Sequence, residues 1–164
     1  MKSKTIQIDN KHFLLLLLIG FLWTPKSVAQ KESQTTSYVL TLTVSGIKKT
    51  KGFLLIAVFD NAEDYENDGN KGNDNGSYAI RKFKIPVKEK TQTVEIEGLD
   101  FGSYGIKLYQ DINDNGSLDK NFLGIPMEPF GFSNNAQATF SAPDFEETVF
   151  DFDGNAAIKI KLND

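Results

Sequence analysis

The sequence has 164 residues, no Cys, one His and a formal net charge of −4. This length fits one domain with an ordinary core, and the absence of Cys argues against a small disulfide-framed module. The acidic balance disfavours nucleic acids and anionic membranes as partners, because both attract basic surfaces.

Residues 1–29 have the order of a secretory signal peptide. Basic residues precede an apolar run from Phe13 to Trp23, and small residues lead to an expected cut after Ala29. The alternative is a membrane anchor, but this run is well short of the roughly 20 residues that span a bilayer. We therefore expect an exported protein, in a periplasm or the medium, with no membrane span after cleavage.

Cleavage after Ala29 removes the only His and the only Trp, together with four Lys and one Asp, so the net charge falls from −4 to −7. Without His or Cys the mature chain lacks the groups for Ser-His-Asp or Cys-His catalysis and for His-based zinc sites. Glycoside hydrolysis by a carboxylate pair stays open, with Asp111, Asp114 and Asp119 as candidates. The residue content favours a non-catalytic protein.

Residues 30–37 are polar and aperiodic, which predicts a flexible leader, and residues 38–164 form the predicted domain. Short alternating or apolar runs separated by Gly, Asn, Asp and Pro predict strands. Pro86 favours an edge strand, and a helical turn is expected near residues 62–65. The predicted strands are Tyr38–Val44, Phe53–Phe59, Ala79–Lys88, Thr91–Glu97, Tyr104–Tyr109, Gln137–Phe140, Thr148–Phe152 and Ala156–Leu162.

These strands predict an all-β, two-sheet β-sandwich of about seven strands. Two connections are expected to be hairpins. One is the turn from Gly46 to Gly52, and the other is Asp153-Gly154-Asn155, which would pair the last two strands.

The segment Gly98-Leu99-x-x-Gly102-x-Tyr104 resembles the signature of prealbumin-like and carboxypeptidase-regulatory-like modules. In those modules a turn containing Leu places a Tyr on the core face of the next strand. The resemblance implies an immunoglobulin-like (prealbumin-like) sandwich of Greek-key type.

A longer resemblance covers nearly all of the expected mature chain. Several uncommon segments occur in the order found in the exported bacterial family catalogued as domain of unknown function 2141. They are Val44–Ile47, Ala57–Asp60, Gly98–Tyr104, Asp111–Asp119, Asn121–Pro126 and Gly131–Ala136. That family is known mainly as uncharacterised exported proteins, so the resemblance implies export and no particular reaction.

A metal-binding pattern begins at Asp111. Oxygen-bearing side chains follow at Asn113 and Asn115, and then come the Ser117 carbonyl and the Asp119 carboxylate. Oxygen ligands at alternate positions before a Gly suit Ca²⁺, which takes about six to eight oxygens. Position twelve of an EF-hand would be a bidentate Glu, and here it is Phe122, so the site needs water or a ligand from another loop. The alternative is an Asx-rich turn that binds no ion. A second acidic cluster around residues 68–75 has irregular spacing and favours a solvated loop.

The last feature is an aromatic segment. We expect a binding patch formed by Phe122, Phe130, Phe132, Asn134 and Asn135 that contacts a glycan, a peptide or an envelope protein. The alternative is that the segment seals one end of the core. The sequence as a whole therefore predicts an exported, non-catalytic binding module with a calcium loop. A metal-free structural module of the cell envelope and a small glycoside hydrolase are the alternatives.

Overall fold

The computed structural model describes residues 37–68, 78–139 and 141–163. The expected signal peptide (1–29) and the leader up to residue 36 lie outside these residues, as do the acidic stretch 69–77 and Phe140. The described residues belong to one compact unit, Thr36–Asp164.

The described part of the chain is dominated by strands, with a few short helical segments. The strands are β1 (Val39–Ser45), β2 (Phe53–Phe59), β3 (Arg81–Pro86), β4 (Gln92–Glu97), β5 (Gly102–Asp111), β6 (Phe130–Phe132), β7 (Phe150–Phe152) and β8 (Ala156–Lys161). The helices are α1 (Ala62–Asn67) and α2 (Phe145–Thr148), and a 3₁₀ turn spans Ser133–Asn135. None of the helices in these residues is long and apolar enough to cross a membrane.

The strands form two sheets, which confirms the predicted all-β two-sheet sandwich. In the first sheet, β1 lies between β4, antiparallel to it, and β8, parallel to it. In the second sheet the order is β3-β2-β5-β6, and β7 pairs with the beginning of β5. As predicted, the wholly apolar strand β2 is central, and β3, which ends at Pro86, is an edge strand.

The main core follows from period-2 alternation along the strands. Leu40, Leu42 and Val44 of β1 and Leu54 and Val58 of β2 have no exposed surface. Complete burial of one such side chain stabilises the fold by about 1.5–3 kcal/mol. The predicted inward residues of β4, Val94 and Ile96, belong to the same cluster.

A second, smaller core lies on the outward side of β2, where Phe59 is completely buried. Tyr65 of α1 and Phe145 of α2 cover it, and Phe132 of β6 completes it. The two helices are short, and each has a side-chain cap at its N-terminus. The Asn61 Oδ1 atom accepts the Asp64 N–H (2.9 Å), and the Asp144 N–H donates to Glu147 Oε2 (3.0 Å). The short helical turn expected near residues 62–65 is thus confirmed as part of α1.

Tyr104 explains the Gly-Leu-x-x-Gly-x-Tyr pattern. Its ring lies in the main core with 5 % of its surface exposed, and its hydroxyl donates to the Asp100 carbonyl (2.8 Å). Leu99 is in the same core cluster, and Gly98 adopts a positive φ of 71°. The hydrogen bond ties the turn to the strand that follows it, as in the tyrosine corners of other β-sandwiches.

Both hairpin predictions are wrong. β1 and β2 belong to different sheets, so the Gly46–Gly52 connection crosses between them. β7 pairs with β5 and β8 pairs with β1, so the Asp153-Gly154-Asn155 turn also joins two sheets. A tight turn specifies only that the chain reverses. The strand partner is set by the sheet that buries the apolar side chains, such as Ile160 of β8.

The predicted strand Gln137–Phe140 is also wrong over its described residues, 137–139, which are irregular. The alternation itself is present, because Ala138 is half-buried against the second core and Gln137 is exposed. No hydrogen-bonded strand pairing forms at residues 137–139. The strand in this part of the chain is β6, which lies further toward the N-terminus.

Candidate functional site

The loop that follows β5 is organised around the side chain of Asp111. This carboxylate has no exposed surface, and its two oxygens accept the N–H groups of Asn115 (3.1 Å) and Gly116 (2.8 Å). Positive φ angles at Asp114 (63°) and Gly116 (79°) let the backbone fold back over the carboxylate. The last residue of a core strand therefore holds the loop in place.

The two Asn side chains join the rest of the loop to Asp119. Their Oδ1 atoms accept N–H groups two residues on, Asn113 from Asn115 (3.3 Å) and Asn115 from Ser117 (2.8 Å). Their Nδ2 groups donate to the Asp119 carboxylate, at 2.7 Å from Asn113 and 2.9 Å from Asn115. The structure thus brings the side chains of four predicted ligand residues together, and Ser117 takes part through its backbone.

Glu128 is a member of this site that the sequence pattern does not reveal. It is only 5 % exposed, and it lies nine residues beyond Asp119 in the chain. Its Oε1 atom accepts the Ile112 N–H (2.7 Å), and its Oε2 atom accepts the Asp119 N–H (3.1 Å). One indication of this role was present in the sequence: Glu128 is a single acidic residue within a run of apolar residues and prolines, where an unpaired charge is unusual.

The electrostatics of the loop are negative, as shown by the neighbouring Tyr109. Burial, followed by the charges of Asp111 and Glu128, raises the pKa of Tyr109 to about 12. Its hydroxyl donates to the Gly116 carbonyl (3.0 Å), which fastens the loop to the outer face of β5. Lys84 of β3 pairs with Asp114 on the outside of the loop, where both side chains are half-exposed.

No group of three Asp, Glu, His or Cys side chains in residues 37–68, 78–139 and 141–163 is arranged as a ready metal cluster. A cation in this loop would therefore depend on amide and carbonyl oxygens as well as on the carboxylates. That donor set suits a hard cation such as Ca²⁺ and does not suit Zn²⁺.

Residues 120–127, which we call the apolar tip, form a small hairpin between Asp119 and Glu128. A β-bridge joins Lys120 to Pro126 across it. Four large apolar side chains of the tip point into solvent: Phe122 (95 % exposed), Leu123 (68 %), Ile125 (55 %) and Met127 (70 %). They are four of the seven large apolar side chains that the described residues expose, and only Phe122 of them belonged to the predicted patch.

The other residues of the predicted patch lie elsewhere. Phe130 is half-buried, and Phe132 is 7 % exposed within the second core. Asn134 donates to the Val149 carbonyl (2.7 Å). Asn135 bonds to β8 at two points, the Lys159 carbonyl (3.1 Å) and the Lys161 N–H (2.7 Å). The structure therefore separates an exposed tip from a packed segment in which the Asn side chains bind backbone groups.

A family comparison matches residues 42–160 to the family described as "Uncharacterized protein conserved in bacteria (DUF2141)". The chain belongs to this family. The match includes the Asp111 loop, the apolar tip and Glu128, so the whole candidate site lies within the DUF2141 domain. Searches of curated proteins and of solved structures each found no match.

The carboxylates considered for hydrolysis are all engaged in this DUF2141 domain. Asp111 is buried under two N–H groups, Asp114 pairs with Lys84, and Asp119 accepts from two Asn amides. Of the second acidic cluster, only Asp68 is described, at the C-terminal end of α1, and the rest lies outside the described residues.

Proposed function

We propose that this protein is an exported, non-catalytic binding module, in which the loop from Asp111 to Asp119 takes up Ca²⁺. Its loop end would contact a glycan, a peptide or a protein of the cell envelope. The observation that supports the calcium site best is Glu128, a buried carboxylate that reaches the loop from outside it. Because Phe122 occupies the position of the EF-hand Glu, the sequence pattern calls for water or a ligand from elsewhere in the chain, and Glu128 would supply the latter.

The loop would reach the coordination number of Ca²⁺ only after rearrangement. Carboxylates of Asp111, Asp119 and Glu128, amide oxygens of Asn113 and Asn115, and a backbone carbonyl would then supply about six donors, the lower limit for this ion. The carboxylate and amide oxygens that already accept one N–H keep a second lone pair.

Binding would require a local rearrangement. The two Asn Nδ2 groups point at Asp119 in the ion-free loop, and they must turn away before Asp119 can coordinate a cation. This cost favours the weak, roughly millimolar affinity of extracellular calcium modules.

A non-catalytic role is supported by the residue content and by the bonding of the carboxylates. After residue 29 the sequence has no His and no Cys, which removes the commonest general base and the strongest nucleophile. A retaining or inverting glycosidase needs a carboxyl pair that faces substrate. Asp111 is completely buried and holds its own loop instead.

A metal-free structural module of the envelope is the second candidate. One observation favours it, because the oxygens of Asp111, Asn113 and Asn115 already accept N–H groups of their own loop. An Asx-rich turn of this kind is stable without an ion.

Thermal unfolding in calcium and in chelator separates the two candidates. With a dissociation constant of about 1 mM, Ca²⁺ at about 10 mM stabilises by about 1.4 kcal/mol, which raises the Tm of a domain of this size by about 4–7 °C. Glu128→Gln keeps an acceptor oxygen for one of the two loop N–H groups and removes the charge, so it should abolish most of this rise. Glu146→Gln on the exposed side of α2 is the matched control and should respond like the wild type. An unchanged wild-type melt, or an equal rise in Glu128→Gln, would refute the calcium site.

A further inference from the structure

The four large apolar side chains of the apolar tip are more than half exposed among the described residues, at a hairpin between two acidic residues. We propose that the apolar tip docks into the surface of a lipid bilayer. This inference goes beyond the proposed function, which names a glycan, a peptide or an envelope protein as the contact. It does not require the calcium site.

The backbone of the tip is prepared for an environment without water. The Asn121 side chain accepts the N–H groups of Leu123 (2.9 Å) and Ile125 (3.0 Å), and the Asn121 carbonyl accepts that of Gly124 (2.9 Å). The Asn121 N–H in turn donates to the Ile125 carbonyl (2.9 Å).

At the base of the tip, the Met127 N–H donates to the Asp119 carbonyl (2.7 Å). Pro126 has no N–H, so five of the six N–H groups in residues 121–127 are bonded inside the tip or at its base. Asx turns in water also bond their own backbone, but a loop that enters lipid must bond its polar backbone groups internally, and most N–H groups of the tip meet this condition.

The exposed area favours lipid over a second copy of the chain. Four such side chains expose on the order of 600 Å², which is the upper end for the largest apolar patch on a monomer. A stable interface between proteins buries about 800 Å² on each partner, so the tip alone is too small for a lasting dimer. A narrow convex tip fits a fluid medium that closes around it, as interfacial apolar segments do at the headgroup boundary.

The charges around the tip select the kind of bilayer. Asp119 and Glu128 stand at its two ends, Lys120 is the one basic residue within it, and the whole chain carries a net charge of −4. Attraction to anionic lipids therefore does not drive binding. We expect the tip to prefer a zwitterionic surface, and we expect added salt not to weaken its binding.

The experiment places a fluorescent reporter on the tip. Phe122→Trp and the control Phe101→Trp are compared in the same exported protein with phosphatidylcholine vesicles. Phe101 is also a well-exposed aromatic residue (57 %), but it contacts Tyr38 and Phe152 and lies outside the tip. In the protein cleaved after Ala29, which lacks Trp23, the introduced Trp is the only one in each variant.

With vesicles, the emission of Phe122→Trp should shift to shorter wavelength and be quenched by brominated acyl chains, while Phe101→Trp should show neither change. Leu123→Ser should lower vesicle partitioning about ten- to hundredfold relative to Phe101→Ser, as expected for the loss of one buried apolar side chain. Equal responses of the two Trp variants would overturn the proposal. So would concentration-dependent dimerisation that Leu123→Ser abolishes while vesicle partitioning stays unchanged.

Each arm is repeated in calcium and in chelator. Lipid insertion in both conditions, together with a melt that ignores calcium, supports docking and refutes only the calcium site. A calcium-dependent melt without any shift of the Phe122→Trp emission supports the calcium site and overturns lipid docking.

Discussion

Ser133→Ala is the most direct test of the packed segment that follows the apolar tip. The Ser133 hydroxyl has no exposed surface and serves two backbone groups of other elements. Its Oγ accepts the Ile106 N–H of β5 (2.9 Å), and its O–H donates to the Thr148 carbonyl of α2 (2.5 Å). One side chain thus joins the centre of the second sheet to the helix that covers the second core.

The expected cost follows from the two groups left without partners. An unsatisfied buried donor or acceptor costs about 1–3 kcal/mol, so the variant should lose about 2–6 kcal/mol of unfolding free energy. With a urea m-value of about 2 kcal/mol/M, the unfolding midpoint should fall by about 1–3 M.

The matched control is Ser103→Ala, which removes a hydroxyl bonded to Asp151 at an exposed position (2.8 Å). An exposed hydrogen bond of this kind should contribute less than about 0.5 kcal/mol. Equilibrium urea unfolding of both variants and the wild type provides the comparison. If Ser133→Ala is no less stable than Ser103→Ala, the Ser133 hydroxyl does not hold these two elements together and the argument fails.

Two further predictions concern the second core. Tyr65→Phe removes a buried hydroxyl that has no hydrogen-bond partner among the described residues, so stability at pH 7 should stay equal or rise by up to about 1 kcal/mol. Burial raises the pKa of Tyr65 to about 12 in the folded protein. The contribution of Tyr65 to the wild-type free energy of unfolding is therefore fully present below about pH 10 and falls by about 2–3 kcal/mol toward pH 12. Urea unfolding at about pH 9 and about pH 11 should show a smaller loss of unfolding free energy in Tyr65→Phe than in the wild type. Gly105→Ala should cost about 1–3 kcal/mol in the same assay, because the new Cβ would lie 2.7 Å from Thr148 Oγ1 and 2.9 Å from the Phe145 ring. Gly154→Ala, where a Cβ meets nothing within 4 Å, should change stability by less than about 0.5 kcal/mol, and equal losses in the two Gly variants would contradict the close packing of α2.

The strands were predictable because their signal is local. Alternation placed β1, β3, β4 and β8 within a few residues of their observed bounds, and the apolar run Phe53–Phe59 coincides with β2. Which strands pair was not predictable in the same way. β8 lies parallel to β1 and far from it in sequence, so no turn residue between them carries that information.

The candidate site shows the same division. The spacing from Asp111 to Asp119 was sufficient to predict an Asx-rich loop whose side chains bond one another and their own backbone, because each bond within it spans at most six residues. Glu128 was missed because its N–H partners, Ile112 and Asp119, lie across the apolar tip. Its role depends on how that hairpin closes.

The sequence by itself determined the strand content, the buried faces and the Asx-rich loop, since period-2 alternation, Gly positions and Asx spacing act over a few residues. Only the tertiary structure decided the sheet order, the addition of Glu128 to the loop and the separation of the aromatic segment into an exposed tip and a packed part. Those outcomes depend on which apolar surfaces become buried when strands that are distant in sequence pack together. Phe132 is buried beneath α1 and α2, and Phe122 stays exposed.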